Sequence, residues 1–229
     1  MGRCAGLLGR WAGAHAGPHR RPRGVSTAES LKRFGTATLG DAEPKVRIVA
    51  APLRPLAPGM CLAGPAATVR CRPGDNLALH HAIAGARSGE VLVVDYGGSV
   101  DSGPFGEIMA LACQQLGIAG LVIDGAVRDS AQIADLGFPV FARGLNIRGT
   151  IKADPGARAV PVLIGGVEVT PGDYVVADAD AVIVLPAHRL APALAAAEQR
   201  ARKEARMIER LRAGETTLQI LGLDKESTA

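Results

Sequence analysis

Three charged side chains follow a short apolar run in the stretch LVIDGAVRDS, residues 121–130. The apolar run ends at residue 123, and Asp124, Arg128 and Asp129 follow it within six residues. Carboxylates are hard oxygen ligands for Mg²⁺ or Mn²⁺, and a guanidinium offers a planar pair of donors to a carboxylate or an enolate oxygen. A helix cap with a salt bridge would show the same pattern, so these residues alone leave a metal and oxyanion site and a structural cap both open.

A second group of candidate residues lies in the Gly-rich stretch VVDYGGSVDSGPFGE, residues 93–107. Asp95 ends an apolar run, and Glu107, Ile108 and Met109 occupy the first turns of a predicted helix. The free backbone N–H groups of a helix N-terminus suit a carboxylate or a phosphate. The stretch has neither the GK[ST] of a phosphate-binding loop nor a clean GxGxxG, so it gives little support to nucleotide binding.

Both groups follow strands of a predicted parallel sheet. Apolar runs at residues 91–98, 119–125 and 138–144 alternate with helical stretches at residues 105–116 and 128–136. This order predicts parallel strand pairing with helices covering the sheet. The carboxyl ends of neighbouring parallel strands meet at one edge of a sheet, where ligands bind in such folds. The two groups of candidate residues are therefore expected to lie close together.

Other elements are predicted on both sides of this unit. Helical patterns cover residues 30–40 and 75–87, and a strand pattern covers residues 61–71. Residues 160–186 contain three strand-like runs separated by turn signals, which predicts an antiparallel meander. Residues 188–213 predict one long helix with much of its surface charged, of the kind that often packs on a neighbouring subunit.

The basic character of the chain belongs to its N-terminal residues. The net charge is +4 over 229 residues, but residues 1–28 hold five arginines and no acid, which leaves 21 basic against 22 acidic residues elsewhere. A nearly neutral body with 3% aromatic residues argues against a nucleic-acid partner. We expect residues 1–28 to be a disordered Arg-rich extension or an over-extended start, with a targeting segment as the alternative. Residues 29–229 are expected to form a single α/β domain.

Several features argue for a cytoplasmic protein. The chain lacks an apolar run long enough to span a membrane, so no membrane partner is expected. Its four cysteines are scattered without a CxxC pair, and Cys113 is expected to be a core residue of an apolar helix. His80 and His81 are adjacent, so on a helix they point in different directions and are interpreted as features of a helix face rather than as metal ligands.

The segment GGSVDSGPFGE…GIAGLVIDGAVRD…GFPVFARG…GGVEVTPGDYVVADADAVIVLP resembles the RraA-like family. That family includes 4-hydroxy-4-methyl-2-oxoglutarate / 4-carboxy-4-hydroxy-2-oxoadipate aldolases and regulators of ribonuclease activity. The likeness covers roughly residues 31–224. Its specific pattern is an acid, twenty intervening residues and an Arg-Asp pair, which here are Glu107, Arg128 and Asp129.

The resemblance implies a fold and a set of site residues. The fold would be a swivelling β/β/α-like α/β domain with a mixed sheet and a long C-terminal helix, assembled as a homotrimer or hexamer. Asp129 would bind a divalent cation, Mg²⁺ or Mn²⁺, and Arg128 would contact the substrate. A glutamate from the C-terminal helix of a neighbouring subunit would assist, for which Glu204 is the candidate. Asp124 receives no family role and is interpreted as a loop-capping carboxylate. The pyruvoyl end of the substrate would lie on the backbone of four residues, Gly106, Glu107, Ile108 and Met109.

The implied activity is divalent-metal-dependent retro-aldol cleavage of 4-hydroxy-2-oxo acids, which releases pyruvate. Arg128 would stabilise the enolate, and Glu107 would take part in proton transfer through a bound water. Oxaloacetate decarboxylation passes through the same enolate and is expected as a side activity. The candidate residues include no lysine, which argues against a Schiff-base aldolase. Two alternatives stay open: a non-catalytic regulator that binds a ribonuclease or another protein, and another metal-dependent lyase or isomerase acting on oxo acids.

Overall fold

A mixed sheet forms the centre of the computed structural model, which describes residues 26–224 of the chain. The strands are β1 (Arg47–Ile48), β2 (Arg54–Pro55), β3 (Leu62–Arg70), β4 (Val91–Asp95), β5 (Gly120–Val127), β6 (Val140–Leu145), β7 (Ala157–Arg158), β8 (Val162–Ile164), β9 (Val167–Val169), β10 (Tyr174–Ala177) and β11 (Val182–Leu185). The helices are α1 (Thr27–Ala42), α2 (Leu77–Gly85), α3 (Glu107–Gln115), α4 (Ser130–Leu136), α5 (Leu190–Arg212) and α6 (Thr217–Leu221). The predicted α/β class, with a mixed sheet and a long C-terminal helix, is confirmed. Most of the expected extension, residues 1–25, lies outside the described residues.

The strands β3, β4, β5 and β6 lie side by side and pair in parallel, as the strand–helix order predicts. The strands β4 and β5 are almost continuously apolar and buried, because both faces of the sheet are covered. Side chains of α2, α3 and α4 pack on one face, where the rings of Phe105 and Phe138 stack with centroids 6.1 Å apart. Cys113 of α3 is fully buried in this layer, which confirms it as a core residue, and burial raises the pKa of its thiol to about 12.

The prediction of one antiparallel meander over residues 160–186 is wrong in part. The strands β10 and β11 do pair antiparallel and join the main sheet, where β10 also pairs antiparallel with β3. The strands β8 and β9 instead form a separate two-stranded hairpin. Val162, Ile164 and Val169 are buried in the second core layer, so the hairpin packs on the face of the sheet rather than extending its edge.

The long helix predicted over residues 188–213 is confirmed as α5. Its N-terminal half packs on α1 of the same chain, where Ala193 and Ala197 are fully buried. Ion pairs between Arg33 and Glu198 and between Arg200 and Asp41 flank this contact. No helix within residues 26–224 has both the length and the apolar character needed to cross a membrane.

Candidate functional site

A cavity of about 270 Å³ lies at the carboxyl ends of the four parallel strands. Its lining residues come from the segments that follow those strands. Asn76 and His80 follow β3, Arg128 and Asp129 follow β5, and Lys152 lies in the segment after β6. The segment after β4 supplies Gly103, Pro104, Gly106, Ile108 and Met109. The cavity therefore occupies the edge at which ligands bind in open α/β sheets.

The end of β5 places Arg128 and Asp129 on this edge in an unusual backbone conformation. The N–H of Arg128 donates to the carbonyl of Phe105 at 2.9 Å, which ties this strand end to the loop after β4. Asp129 is the N-cap residue of α4 and has φ 56° and ψ 41°, a left-handed conformation that costs most residues roughly 1 kcal/mol. In residues 26–224, only one other non-glycine residue, Ala159, has a positive φ. Aspartate is one of the few residues besides glycine that adopt this conformation readily, and the conformation is often found at functional positions.

Asp129 lies against the glycine that precedes α3. Its Oδ2 accepts a hydrogen bond from the N–H of Glu107 at 3.1 Å and lies 3.7 Å from Nε of Arg128. A Cβ atom at Gly106 would come within 2.3 Å of the same Oδ2, so this contact requires glycine at position 106. No hydrogen bond from residues 26–224 reaches the other oxygen, Oδ1. The carboxylate is thus oriented through one oxygen and keeps the other available to a ligand.

This donor set fits a cation that takes few protein ligands. Across the described residues, no three or more His, Cys, Asp or Glu side chains converge into a metal-binding group. Mg²⁺ is usually held by one or two carboxylates and keeps water or substrate oxygens at its remaining positions. Asp129, with a free carboxylate oxygen and a side chain 39% exposed, is suited to that role.

The predicted pyruvoyl-binding backbone begins α3. Gly106 is its N-cap residue, and the first N–H groups of a helix have no partner within the helix. Gly106, Ile108 and Met109 line the cavity together with the Arg-Asp pair. The Glu107 side chain is exposed and does not line the cavity, so within one chain this residue contributes through its backbone N–H to Asp129.

Glu204 does not line this cavity within the chain. It lies on α5 and pairs with Arg200 one turn earlier, at 2.8 Å. Its side chain is 41% exposed, so it remains accessible from outside the chain.

Asp124 has a structural role that differs from the one expected. It lies within β5 rather than in a loop, and its side chain is 8% exposed. It forms a short ion pair with Arg143 of β6 and accepts a hydrogen bond from the N–H of Gly165 at 2.9 Å. It therefore joins two strands to the β8–β9 hairpin. Asp124 does cap the turn at Gly165, as a loop-capping carboxylate would, but it lies within a strand, and its charged partner Arg143 was not predicted.

Sequence reasoning did not assign four polar residues of the cavity to the site: Asn76, His80, Thr150 and Lys152. The buried Asn76 donates from Nδ2 to the carbonyl of Pro104 at 2.8 Å, and within residues 26–224 its Oδ1 has no partner. Burial and the positive charge of Lys152 lower the pKa of His80, with a further contribution from His81. The candidate residues predicted from the sequence include no lysine, but Lys152 lies on the cavity wall. The signal that could have found these residues is their position after β3 and β6, at the same sheet edge.

Asp75 holds two of these segments together. Its carboxylate accepts hydrogen bonds from the N–H groups of Leu77 at 2.9 Å, Ala153 at 2.8 Å and Asp154 at 2.9 Å. These bonds lower the pKa of Asp75 against the opposing effect of burial, with the bond from Leu77 contributing most. The segment that carries Lys152 is thereby attached to the start of α2, the helix that carries His80.

The chain is similar to a family model and to a named relative. Residues 36–184 match the RraA-like family model, described as Aldolase/RraA. A protein of Halalkalibacterium halodurans with the provisional name 4-hydroxy-4-methyl-2-oxoglutarate aldolase is 37% identical over 156 residues, which are 68% of this chain and 74% of the relative.

Two solved structures with similar folds carry names of a different kind. RraAS2 of Streptomyces coelicolor, described as an unusual member of the RNase ES inhibitor RraA protein family, is 30% identical with a TM-score of 0.72. That match covers 84% of this chain and 99% of RraAS2. The RNA-processing inhibitor RraA from Thermus thermophilis is also 30% identical, with a TM-score of 0.62, and the match covers 66% of this chain and 92% of that one.

Proposed function

The chain belongs to the RraA-like family, and on that premise we propose that it is a divalent-metal-dependent aldolase. The proposed reaction is cleavage of 4-hydroxy-2-oxo acids of the 4-hydroxy-4-methyl-2-oxoglutarate / 4-carboxy-4-hydroxy-2-oxoadipate type, with release of pyruvate. The observation that carries this proposal is the Arg128–Asp129 pair at the cavity, with Asp129 in a left-handed conformation against Gly106 and one carboxylate oxygen free. A protein that only bound a partner would need neither Arg128 nor Asp129 at a cavity.

The start of α3 would bind the oxo-acid end of the substrate. The N–H of Ile108, which has no acceptor within residues 26–224, and the positive end of the helix dipole favour the substrate carboxylate. The Arg128 guanidinium, which is 44% exposed, would bind the 2-oxo oxygen. A divalent cation bound at Asp129 would supply Lewis-acid polarisation of that oxo group.

Cleavage breaks the bond between C3 and C4, and its electrons become those of an enolate on the pyruvoyl fragment. Arg128 stabilises the negative charge that develops on the enolate oxygen, a type of contribution that is typically worth a factor of about 10²–10³ in kcat. A base removes the proton of the C4 hydroxyl, whose oxygen becomes the carbonyl oxygen of the second product, and the enolate is then protonated at C3 to give pyruvate. We assign Glu107 to this proton transfer through a bound water, which would have to bridge from its side chain outside the cavity, at the start of the helix beside Asp129.

Oxaloacetate would be decarboxylated by the same groups. Loss of carbon dioxide leaves the same pyruvate enolate, which Arg128 would stabilise in the same way. We therefore propose oxaloacetate decarboxylation as a side activity.

The assay that tests the proposal measures pyruvate release from a panel of 4-hydroxy-2-oxo acids and oxaloacetate, with Mg²⁺ and with EDTA. We expect Mg²⁺-dependent release from 4-hydroxy-4-methyl-2-oxoglutarate and slower release from oxaloacetate. Full activity in EDTA would contradict the metal-dependent route. Because Lys152 lies on the cavity wall, borohydride treatment in the presence of pyruvate is a necessary companion experiment. Trapping of a covalent adduct would favour Schiff-base chemistry instead.

A regulator of ribonuclease activity is the second candidate function. It is favoured by the names of the two RraA structures, which are described as RNA-processing and RNase inhibitors. Saturable binding and inhibition of a ribonuclease, together with no turnover of any 2-oxo acid, would support this candidate over the aldolase.

A further inference from the structure

Two side chains of the cavity have no role in the proposed reaction. His80 lies on α2, and Lys152 lies in the segment after β6. Both line the same cavity as the Arg128–Asp129 pair, but they come from different strand ends. Their positions extend the cavity beyond the groups assigned to the pyruvoyl end of the substrate.

The backbone that carries these residues is held in place. The N–H of Asn76 donates to the carbonyl of Ile151 at 3.1 Å, and the N–H of Ile151 donates to the carbonyl of Gly74 at 3.0 Å. Asp75 adds its hydrogen bonds to Ala153 and Asp154. Lys152 therefore lies within a fixed segment rather than on a free loop. A binding residue on a fixed backbone loses less entropy when its ligand arrives.

The charges of the cavity leave Lys152 without a counterpart. Arg128 is within ion-pair distance of Asp129, whereas Lys152 forms no ion pair with any residue in the described part of the chain. Burial and the nearby ammonium keep the pKa of His80 below its usual value, so its imidazole is neutral near pH 7 and offers one N–H. An ammonium and an imidazole N–H together are suited to a second anionic group of the ligand.

We propose that His80 and Lys152 form a subsite for the distal carboxylate of the substrate, the one attached to C4. This inference rests on the proposed function, because it assigns the pyruvoyl end to Arg128, Asp129 and the start of α3. It selects 4-hydroxy-2-oxo acids with a second carboxylate over those that end in a methyl or alkyl group. Lys152 contributes the charge and His80 a directed hydrogen bond.

The test is a binding measurement that does not depend on turnover. The dicarboxylate 2-oxoglutarate has its second carboxylate at the same carbon but lacks the C4 hydroxyl, so it cannot undergo retro-aldol cleavage. The monocarboxylate 2-oxopentanoate has the same chain length without that carboxylate. Titration calorimetry of the full chain in Mg²⁺ should give a Kd for 2-oxoglutarate that is lower by about tenfold or more, as expected for a charged hydrogen bond.

Variants assign this preference to residues. We expect Lys152→Met to remove the preference for 2-oxoglutarate while leaving the Kd for 2-oxopentanoate within about twofold. Binding of 2-oxopentanoate then also shows that the variant is folded. Lys152→Arg should keep most of the preference, and His80→Gln should reduce it. The matched control is His81→Gln, because His81 is adjacent in sequence but does not line this cavity.

Equal affinities of the wild type for the two acids, or an unchanged preference in Lys152→Met, would overturn the proposed subsite. A preference for 2-oxoglutarate in a protein that releases pyruvate from no 4-hydroxy-2-oxo acid would contradict the aldolase proposal alone. The two failures are therefore distinguishable.

Discussion

Gly106 determines the position of the carboxylate on which the proposed chemistry depends. It has an extended backbone that any residue can adopt, so the reason for glycine is the close approach of Asp129 Oδ2. A methyl group there would meet this oxygen at 2.3 Å and displace it. The Gly-rich character of the loop after β4 thus reflects the packing of two strand-end loops against each other.

We predict that Gly106→Ala lowers kcat/KM for pyruvate release by about 100-fold, since a displacement of about 1 Å in a catalytic group costs this much. The control is Gly149→Ala, because Gly149 also lines the cavity but has no atom within 4 Å of a Cβ built on it. Steady-state kinetics and thermal melting of both variants provide the measurement. Wild-type kinetics in Gly106→Ala would show that the position of Asp129 is not critical.

The pKa of His80 depends on the positive charge of Lys152. A neighbouring cation disfavours the imidazolium form, so Lys152 contributes to the lowered pKa of His80. We predict that Lys152→Met raises the pKa of His80 toward its ordinary value while burial still keeps it somewhat low. Titration of the imidazole resonances by NMR measures the shift, with His81 in the same spectrum as the internal reference. An unchanged or lower pKa of His80 in the variant would contradict the arrangement.

Site residues could be predicted from the sequence where charged side chains directly follow a strand in the chain. Arg128 and Asp129 directly follow an apolar run, so their place at the sheet edge could be predicted. Asn76 and Lys152 follow other strands at a distance, and only the three-dimensional order of the strands brings them to the cavity. The ion pair of Asp124 with Arg143 was missed because it depends on strand pairing, which hydrophobic periodicity does not report.

At the scale of elements, the cavity depends on four strand-end segments that are joined by hydrogen bonds. Asp75 joins the segment after β6 to the start of α2, and Asn76 joins the start of α2 to the loop after β4. Backbone bonds of Arg128 to Phe105 and of Gly103 to Arg148 join the remaining segments. These bonds therefore couple the walls of the cavity to one another.

We predict that Asp75→Ala loosens the segment around Lys152, because the N–H groups of Ala153 and Asp154 lose their acceptor. Hydrogen exchange of peptides that span residues 149–156 should become faster, while exchange in α5 stays unchanged. The control is Asp101→Ala, an exposed aspartate in the loop after β4. Unchanged exchange over residues 149–156 would show that Asp75 does not hold this segment.

Helices and strands were predicted most accurately where the hydrophobic period and the length of the segment indicated the same element. The β–α–β units and α5 were predicted to within a few residues, because buried parallel strands and a long amphipathic helix leave strong patterns. The β8–β9 hairpin was placed in the wrong sheet, because short strand runs predict pairing but not the face on which a hairpin packs. The two-residue strands β1, β2 and β7 were missed because they are too short to show a period.

At the scale of the whole molecule, the C-terminal end of the described chain exposes apolar side chains. Ile208 and Leu211 of α5 and Leu218 and Leu221 of α6 are between 42% and 54% exposed. Such a surface is typical of a contact between subunits. We propose a homo-oligomer, a trimer or hexamer, in which this helix brings Glu204 to the cavity of a neighbouring copy.

Subunit mixing tests that arrangement. The variants Asp129→Asn and Glu204→Gln should each be strongly impaired alone, because each removes one half of a shared site. After the two are unfolded, mixed in equal amounts and refolded together, about a quarter of the sites would combine an intact Asp129 with an intact Glu204. We predict a matching recovery of pyruvate release. The control for Glu204→Gln is Glu209→Gln on the same helix, and an absence of recovery would contradict the shared site.

The proposed aldolase activity depends on Asp129, the residue proposed to bind the metal ion. The most direct measurement is the rate of pyruvate release from 4-hydroxy-4-methyl-2-oxoglutarate as a function of Mg²⁺, for the wild type, Asp129→Ala and the control Asp135→Ala. Asp135 is an exposed carboxylate on α4, the helix that Asp129 caps. We predict saturable Mg²⁺ activation of the wild type and of Asp135→Ala, and a loss of at least about 100-fold in Asp129→Ala. Mg²⁺-activated release by Asp129→Ala at the wild-type rate would contradict the account.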